Sequence, residues 1–151
     1  MVETTQKSLT QMPKKSKSST KRTEKKFYQK IRSNSWKLPD KFFIQKIDTF
    51  ATKGIPDLLV KDSKNHFHFV ELKITETRKV KLSPHQISFF VEHSDTRTWL
   101  MVEDKTQSIY LFRANQIKDV VKDGLNISPF AFFEHPYIDW EKIFNTLLKF
   151  N

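Results

Sequence analysis

The alternation of apolar and polar positions along the chain predicts short strands interleaved with amphipathic helices. Apolar side chains at helical spacing after Thr23, a suitable N-cap, predict a first helix over 23–33. Apolar runs bounded by turn-rich breaks predict the strands 41–50, 56–61, 66–74, 97–102 and 108–113. Further helices are predicted from Ser83, over 115–122 and after Asp139. This order predicts an α/β fold with a central mixed β-sheet flanked by helices.

The strand predicted over 97–102 is largely apolar, which is typical of a strand covered on both faces. The helix that starts at Ser83 precedes it and supplies a crossover, so this strand is predicted to run parallel to the one over 66–74. Towards the C-terminus, the phenylalanines of an aromatic, Pro-broken segment are predicted to be core, with a dimer surface as the alternative: Phe130, Phe132 and Phe133.

Two acids and a lysine are predicted to converge at one end of a β-hairpin. The first strand follows Gly54-Ile55-Pro56-Asp57, and the second contains Glu71 and Lys73. Glu71 and Lys73 share a strand face because successive residues alternate faces. The polar segment over 61–65 predicts the turn, which places Asp57 roughly opposite residues 70 and 71.

Such a group suits a Mg²⁺-dependent phosphodiesterase. Carboxylate oxygens, with a carbonyl or waters, are the ligands of a hard cation, so Asp57, Glu71 and the Leu72 carbonyl are predicted metal ligands. The metal offsets charge on the scissile phosphate and lowers the pKa of a bound water. Lys73 is predicted to position that water. We expect Mg²⁺ as the cofactor, with Mn²⁺ able to substitute.

The spacing from Asp57 across thirteen intervening residues to Glu71-Leu72-Lys73 resembles the signature of the PD-(D/E)XK nucleases. The glycine before Pro56-Asp57 and the downstream Leu82-Ser83-Pro84-His85-Gln86 resemble the VRR-Nuc branch, which includes stand-alone phage nucleases and resembles archaeal Holliday-junction resolvases. The resemblance runs from about residue 24 to about residue 111 and leaves the C-terminal helices unexplained. It implies a restriction-endonuclease-like core and an endodeoxyribonuclease that acts on branched DNA, such as a Holliday junction, as a homodimer.

The resemblance also implies roles for Glu24 and Gln86. Glu24 shares the inward stripe of the first helix, where resembling nucleases have an acid that completes the metal site. The alternative is that Glu24 only favours the positive end of the helix dipole. Gln86 is placed in the active site, orienting Lys73 or phosphate. Ser83, Pro84 and Gln86 also form a complete capping box, and one side chain is not expected to serve both purposes fully.

A formal net charge of +10 and a pI near 9.7 indicate a polyanionic partner, which we expect to be DNA. Residues 1–22 contain almost no large apolar side chains and are predicted to be a disordered basic tail before a nuclease domain over 23–151. One of only two glycines, Gly54, indicates a positive φ or a close approach to phosphate. The predicted DNA contacts are Gly54, Arg78, Lys79 and Lys81 beside the site, and Lys14, Lys15, Lys17, Lys21 and Arg22 in the tail. Inert, solvated segments are the alternative.

Composition excludes several classes of site. The absence of cysteine excludes disulfides, Cys-ligated zinc and thiol catalysis. No apolar run approaches the roughly 20 residues of a membrane span, and the N-terminus lacks the apolar region of a signal peptide. We therefore expect no membrane partner, no small-molecule cofactor and a cytoplasmic location, in the host if the chain is phage-encoded. His66 and His68 share a strand face, but no third ligand is visible, so we expect them not to bind metal.

Two other hypotheses remain open at the level of sequence. The first is a catalytically inactive DNA-binding module of the same fold. The second is an α/β protein in which Asp57, Glu71 and Lys73 form a structural ion network. Metal-dependent cleavage separates both from a nuclease.

Overall fold

The structure is a computed structural model, and it describes residues 21–38, 43–48 and 52–149. The helices are α1 (Glu24–Ser33), α2 (Pro84–Glu92), α3 (Ile117–Asp123) and α4 (Trp140–Leu148). The strands are β1 (Phe43–Lys46), β2 (Leu58–Lys61), β3 (Phe67–Ile74), β4 (Thr98–Glu103), β5 (Ile109–Arg113) and β6 (Ala131–Phe133). Parts of the predicted strand over 41–50 and most of the predicted tail lie outside the described residues.

All six strands form one mixed sheet in chain order, from β1 to β6. Neighbouring strands are antiparallel except β3 and β4, which are parallel with Glu71 beside Leu100 and Lys73 beside Val102. The predictions of an α/β mixed sheet flanked by helices and of this parallel pair are confirmed. β6 was not predicted, because three residues inside a Pro-broken segment are too few to display a strand period.

Two hydrophobic cores lie on opposite faces of the sheet. The first joins even-numbered residues of β3, such as Val70 and Leu72, to residues of α1 and α4. The second joins Leu100 and Val102 of β4 to residues of α2 and α3. Cross-strand neighbours share a face, so Glu71 and Lys73 lie on the face that α2 covers.

Side chains that cap helices fix where three of the elements begin. Thr23 accepts a hydrogen bond from the Lys26 amide at the start of α1, and Asp139 accepts one from the Lys142 amide at the start of α4. At α2, Ser83 and the residue three positions later form the predicted capping box. These local bonds explain why the predicted helix starts agree with the observed ones.

The aromatic segment near the C-terminus is only partly core. Phe133 is buried, but Phe130 and Phe132 are 45% and 48% exposed. Phe132 is on the edge strand β6 and lies against the Tyr110 ring of β5, with centroids 4.8 Å apart. The prediction that these phenylalanines are core is therefore correct for Phe133 alone.

Gly124 holds the end of α3 against the loop that follows β3. Its φ is +60°, and a Cβ added to it would lie 2.0 Å from the Arg78 carbonyl oxygen. The Leu125 amide donates to that same oxygen at 2.8 Å. A glycine is therefore required both by the backbone conformation and by the close approach of two chain segments.

We expect Gly124→Ala to destabilise the protein by about 2 kcal/mol or more, since a strained backbone alone costs on the order of 1–3 kcal/mol. Urea unfolding followed by circular dichroism measures the loss. The matched control is Lys122→Ala, an exposed change in the last turn of α3, which should stay within about 0.5 kcal/mol of wild type. Equal stability of the two variants would contradict the contact described for Gly124.

Candidate active site

The site begins where β2 and β3 stop pairing. The last pair of this ladder joins Leu58 to Val70, so Asp57 is level with Glu71, as predicted from the turn. Beyond this pair the Leu72 amide has no β2 residue to donate to, and it donates to Asp57 Oδ2 at 2.9 Å. The Asp57 carboxylate therefore takes the place of a strand neighbour at this point.

The Leu72 carbonyl points to the same side of β3 as its amide. The amides of Phe69 and Thr75 donate to carbonyls on the β4 side, at Arg97 and Glu103, so the even-numbered residue Leu72 faces away from β4. Both polar groups of one strand residue point to the same neighbour. Leu72 thus brings a carbonyl oxygen to the side on which Asp57 lies, as a hard cation would require.

Glu71 is buried, with 2% of its surface exposed, and its carboxylate contacts two other side chains. Gln86 Nε2 donates to Glu71 Oε1 at 2.7 Å. Lys73 Nζ lies 3.8 Å from the same oxygen and 3.7 Å from Glu24 Oε1. The predicted residues Glu24, Asp57, Glu71, Lys73 and Gln86 are therefore brought together, with the ammonium between two carboxylates.

Burial and neighbouring charge perturb the acids of this group. Burial, together with the negative charge of Asp57 and Glu24, raises the pKa of Glu71 to about 8, although Lys73 acts in the opposite direction. Partial burial likewise raises the pKa of Glu24, against the effect of Lys73. One ammonium is thus too little positive charge for three clustered acids, and this favours a site that receives a further cation or a proton.

Gln86 both caps α2 and contacts the site. Its Oε1 accepts from the Ser83 amide at 2.9 Å, while its Nε2 donates to Glu71. One side chain makes both contacts, because an amide has an acceptor and a donor at separate ends. The amide reaches Glu71, whereas the sequence predicted a contact with Lys73 or phosphate.

A cavity of about 200 Å³ opens between α1 and the strand ends. Three predicted site residues line it, Asp57, Glu24 and Leu72, together with residues that were not predicted to belong to the site: Lys25, Tyr28, Lys46 and Leu58. Lys46 Nζ lies 5.4 Å from the centroid of the Tyr28 ring and 3.7 Å from Asp48 Oδ1. Side-chain alternation along β1 is the sequence signal that could have placed Lys46 near this cavity.

The oxygen atoms of this site are of the types that bind a hard divalent cation, but their present arrangement does not enclose one. Among the described residues, no group of three His, Cys, Asp or Glu side chains is arranged to hold a metal ion. The reason is local, since Lys73 stands between two of the acids and the Leu72 amide occupies one Asp57 oxygen. Carboxylates with a raised pKa beside a strand carbonyl are nevertheless the ligand types that Mg²⁺ takes.

Two of the predicted DNA contacts have intramolecular roles. At Gly54, φ is +90°, as predicted, and an added Cβ would lie 2.5 Å from the His85 carbonyl oxygen, so Gly54 closely approaches the start of α2. Arg78 donates through Nε to Asn126 Oδ1 at 2.7 Å and through Nη2 to the Leu125 carbonyl at 2.6 Å. Arg78 therefore fastens its loop to the segment after α3.

The remaining predicted contacts differ in their surroundings. Lys79 and Lys81 are exposed in the loop that Arg78 fastens, and Lys21 is exposed before α1. Arg22 is bound to the folded domain, with Nη1 3.0 Å from Glu103 Oε1 and Nη2 2.7 Å from Glu76 Oε1. The folded part thus includes Arg22, one residue before the predicted boundary, whereas Lys14, Lys15 and Lys17 lie outside the described residues.

His66, just before β3, and His68, within it, both lie beside Asp62 in the hairpin turn, and His66 Nδ1 is 3.4 Å from Asp62 Oδ2. His68 is buried, and its Nε2 lies 3.0 Å from Asp62 Oδ2 in the hairpin turn. Burial lowers the pKa of His68, despite Asp62. Burial of Asp62 acts to raise its pKa, but hydrogen bonds from His68 and from the His66 and Lys64 amides hold that pKa well below its usual range. The contact between His68 and Asp62 therefore stabilises the turn between β2 and β3.

The chain was compared with protein families, curated proteins and solved structures. No family model matches the chain, and no curated protein matches it. Among solved structures, the chain is similar to Hjc of Archaeoglobus fulgidus, a Holliday junction resolvase from an archaeal hyperthermophile. The identity is 12% and the TM-score is 0.46, over 61% of this chain and 78% of Hjc. A likeness this low carries no argument about function. Within the described part of the chain, no helix is both long and apolar enough to cross a membrane.

We expect the metal-free protein to lose stability as the pH rises from about 4.5 to about 8. The folded-state pKa of Glu71, about 8, lies above its ordinary value of 4.5, so folding favours the protonated carboxyl, and this contribution is lost as the pH rises through that range. Urea midpoints measured with a chelator from pH 4 to pH 9 follow the loss. Glu71→Gln should remove this part of the pH dependence, and Glu92→Gln, an exposed change on α2, should keep it. Parallel curves for wild type and Glu71→Gln would contradict the assignment.

Proposed function

We propose that the chain is a divalent-metal-dependent endodeoxyribonuclease of the PD-(D/E)XK type. The observation that carries the proposal is the convergence of Asp57, Glu71, Lys73 and Gln86 on the point where β2 and β3 part. These are the residues that carry the sequence resemblance, and they also form the cluster in which the pKa of a buried acid is raised. Because a structural ion network also perturbs pKa values, metal-dependent cleavage is the property that distinguishes a nuclease from such a network.

Each residue of the cluster has a distinct role in this proposal. Asp57, Glu71 and the Leu72 carbonyl would hold Mg²⁺, or Mn²⁺ in its place, with Glu24 supporting them. When bound, the metal would offset phosphate charge and lower the pKa of a water. Lys73 places a positive charge where it can orient that water or a phosphate oxygen. Gln86 holds the Glu71 carboxylate through a 2.7 Å hydrogen bond, which positions the acid before substrate arrives.

DNA is the proposed substrate because of charge and resemblance together. The net charge of +10 favours a polyanion. Lys79 and Lys81 are exposed on a loop that Arg78 fastens beside the site, where they can contact phosphates. The VRR-Nuc-like motifs extend the proposal to branched DNA, including four-way junctions, and to a homodimer that places two sites on one junction.

A catalytically inactive DNA-binding module is the alternative. A protein that only binds DNA gains nothing from three clustered acids, since carboxylates repel phosphate. The buried position of Glu71 strengthens this argument, because a buried acid costs stability unless its interactions compensate.

We expect Asp57→Asn and Glu71→Gln each to lower Mg²⁺-dependent cleavage by about 100-fold or more while DNA binding holds, because each change removes a ligand charge. Asn at position 57 keeps an oxygen that can accept from the Leu72 amide. Cleavage is measured over linear, nicked, flap and four-way DNA, and binding is measured with a chelator. Glu92→Gln is the control. Wild-type cleavage by either variant would refute the proposed site, and no metal-dependent cleavage by the wild type on any substrate would favour the inactive module.

Lys73→Met is expected to lower turnover at saturating DNA by about 100-fold or more, as loss of a group that orients or deprotonates water does. Mg²⁺ affinity should hold or increase, because the ammonium is not a ligand and competes with a cation for the acids 3.7 and 3.8 Å away. Calorimetric titration with Mg²⁺ and single-turnover cleavage separate the two effects. Lys105→Met, at an exposed turn, is the control. Lost Mg²⁺ affinity with unchanged turnover would contradict the role given to Lys73.

A further inference from the structure

The sheet face that carries Glu71 is not covered along its whole width. Phe43, Lys61 and Phe67 are directly opposite one another on β1, β2 and β3, so their side chains form one row on this face. Phe43 is 39% exposed and Phe67 is 50% exposed. Among the described residues, none from β1 or β2 belongs to the core beneath α2 and α3. The row is therefore an open aromatic surface.

This surface is continuous with the candidate active site. Phe67, Phe69, Glu71 and Lys73 alternate with core residues and share one face of β3. At about 3.3 Å per strand residue, Phe67 lies roughly 13 Å from Glu71. A DNA strand that passes Glu71 and runs along β3 would therefore reach Phe67 within about four nucleotides, at the duplex spacing of about 3.4 Å per nucleotide.

A cleft of about 330 Å³ lies beside Phe67. Phe69 forms part of its wall and is held edge-on by Phe89 of α2, with ring centroids 5.7 Å apart. The other lining residues are polar or aromatic: His93, Asp95, Thr96 and Arg97. The cleft thus combines aromatic rings with hydrogen-bonding groups of both kinds.

The chemistry of this surface favours a nucleobase. Aromatic rings stack on the face of an unpaired base, and the bases of a duplex do not offer that face. Lys61 Nζ lies 5.4 Å from the Phe43 ring, which places a cation for a phosphate within the aromatic row. Asp95 in the cleft repels phosphate but can accept hydrogen bonds from the amino groups of a base edge. Bases therefore suit the cleft and phosphates suit Lys61.

We infer that the row Phe43, Lys61 and Phe67, with the adjoining cleft, binds unpaired nucleotides of the DNA substrate. The inference rests on the proposed nuclease function and narrows its substrate class. The DNA would carry a single-stranded stretch, as in a flap or an opened branch, that begins within about four nucleotides of the scissile phosphate. A fully paired duplex would leave this surface unused.

The test compares single-stranded and duplex binding by Phe67→Leu, which keeps apolar bulk but removes the aromatic ring. Affinities for an oligodeoxythymidine and for a blunt duplex are measured by fluorescence anisotropy with a chelator. We expect Phe67→Leu to weaken binding of the single strand by about 5- to 100-fold, the loss typical of one stacked base, and to leave duplex binding unchanged. Phe43→Leu should act in the same direction.

Two controls make the result specific. Phe132→Leu alters an equally exposed ring, 48% against 50%, on the opposite edge of the sheet, and should leave both affinities unchanged. An abasic strand of the same length keeps the phosphates without the bases. It should bind wild type and Phe67→Leu equally, because stacking contributes nothing to its affinity.

The test of single-strand binding is independent of catalysis, because affinities are measured without metal. Absence of cleavage with the predicted Phe67 effect would refute the nuclease and keep the surface as a binding site for single strands. Equal loss of single-strand and duplex binding, or no loss, would overturn the inference. So would a shift from dimer to monomer in Phe67→Leu with unchanged single-strand affinity, measured by sedimentation, because the row would then be an interface between copies of the chain.

Discussion

The hydrogen bond from the Leu72 amide to Asp57 determines the geometry of the candidate site. Leu72 is 2% exposed, and a buried amide without a partner costs about 1–3 kcal/mol. β2 has parted from β3 at this level, so only a side chain can accept the bond. The acceptor is a carboxylate, which places negative charge next to a strand carbonyl. The same contact therefore completes the sheet and fixes the first acid of the site.

The position of the second acid, Glu71, depends on α2, the helix of the crossover between β3 and β4. Glu71 is on the face that α2 covers, and Gln86 in the first turn of α2 donates to it. The position of Gln86 is in turn fixed by its bond from the Ser83 amide. The capping interaction at the start of α2 thus positions Gln86, and Gln86 in turn positions the buried Glu71 carboxylate. Lys73 lies between Glu24 and Glu71, yet the pKa of the buried Glu71 still rises to about 8, which a structural ion network with balanced charges would not be expected to show.

Local signals in the sequence predicted the elements, and long-range contacts account for what they missed. Thr23, Ser83 and Asp139 act within three residues of themselves, so the starts of their helices were predictable. The intramolecular contacts of Arg78 and Gly54 were not, because their partners lie on distant segments, 47 positions away at Leu125 in the case of Arg78, although the positive φ of Gly54 was predicted. From sequence alone, a basic side chain in a loop is interpreted as a phosphate contact, because its intramolecular partner is not visible.

Convergence of Asp57 with Glu71 was predictable for a different reason. A hairpin with a short turn has its register fixed by that turn, so two positions on its strands can be paired from sequence alone. Glu24 and Gln86 lie outside the hairpin, and no such rule relates them to it. Their place in the site followed only from resemblance, and the contact of Gln86 with Glu71 needed the fold.

The open aromatic row follows from the way the helices are distributed over the sheet. A helix is about 10 Å wide and strands are about 4.8 Å apart, so one helix covers about two strands. On the face of Glu71, α2 and α3 cover the middle and the β5 side, and β1 and β2 contribute nothing to the core beneath them. On the opposite face the core reaches β1, where Ile44 is buried in the cluster that includes residues of α1 and α4. Among the described residues, the face that carries Glu71 is thus less covered at β1 and β2 than at β4 and β5.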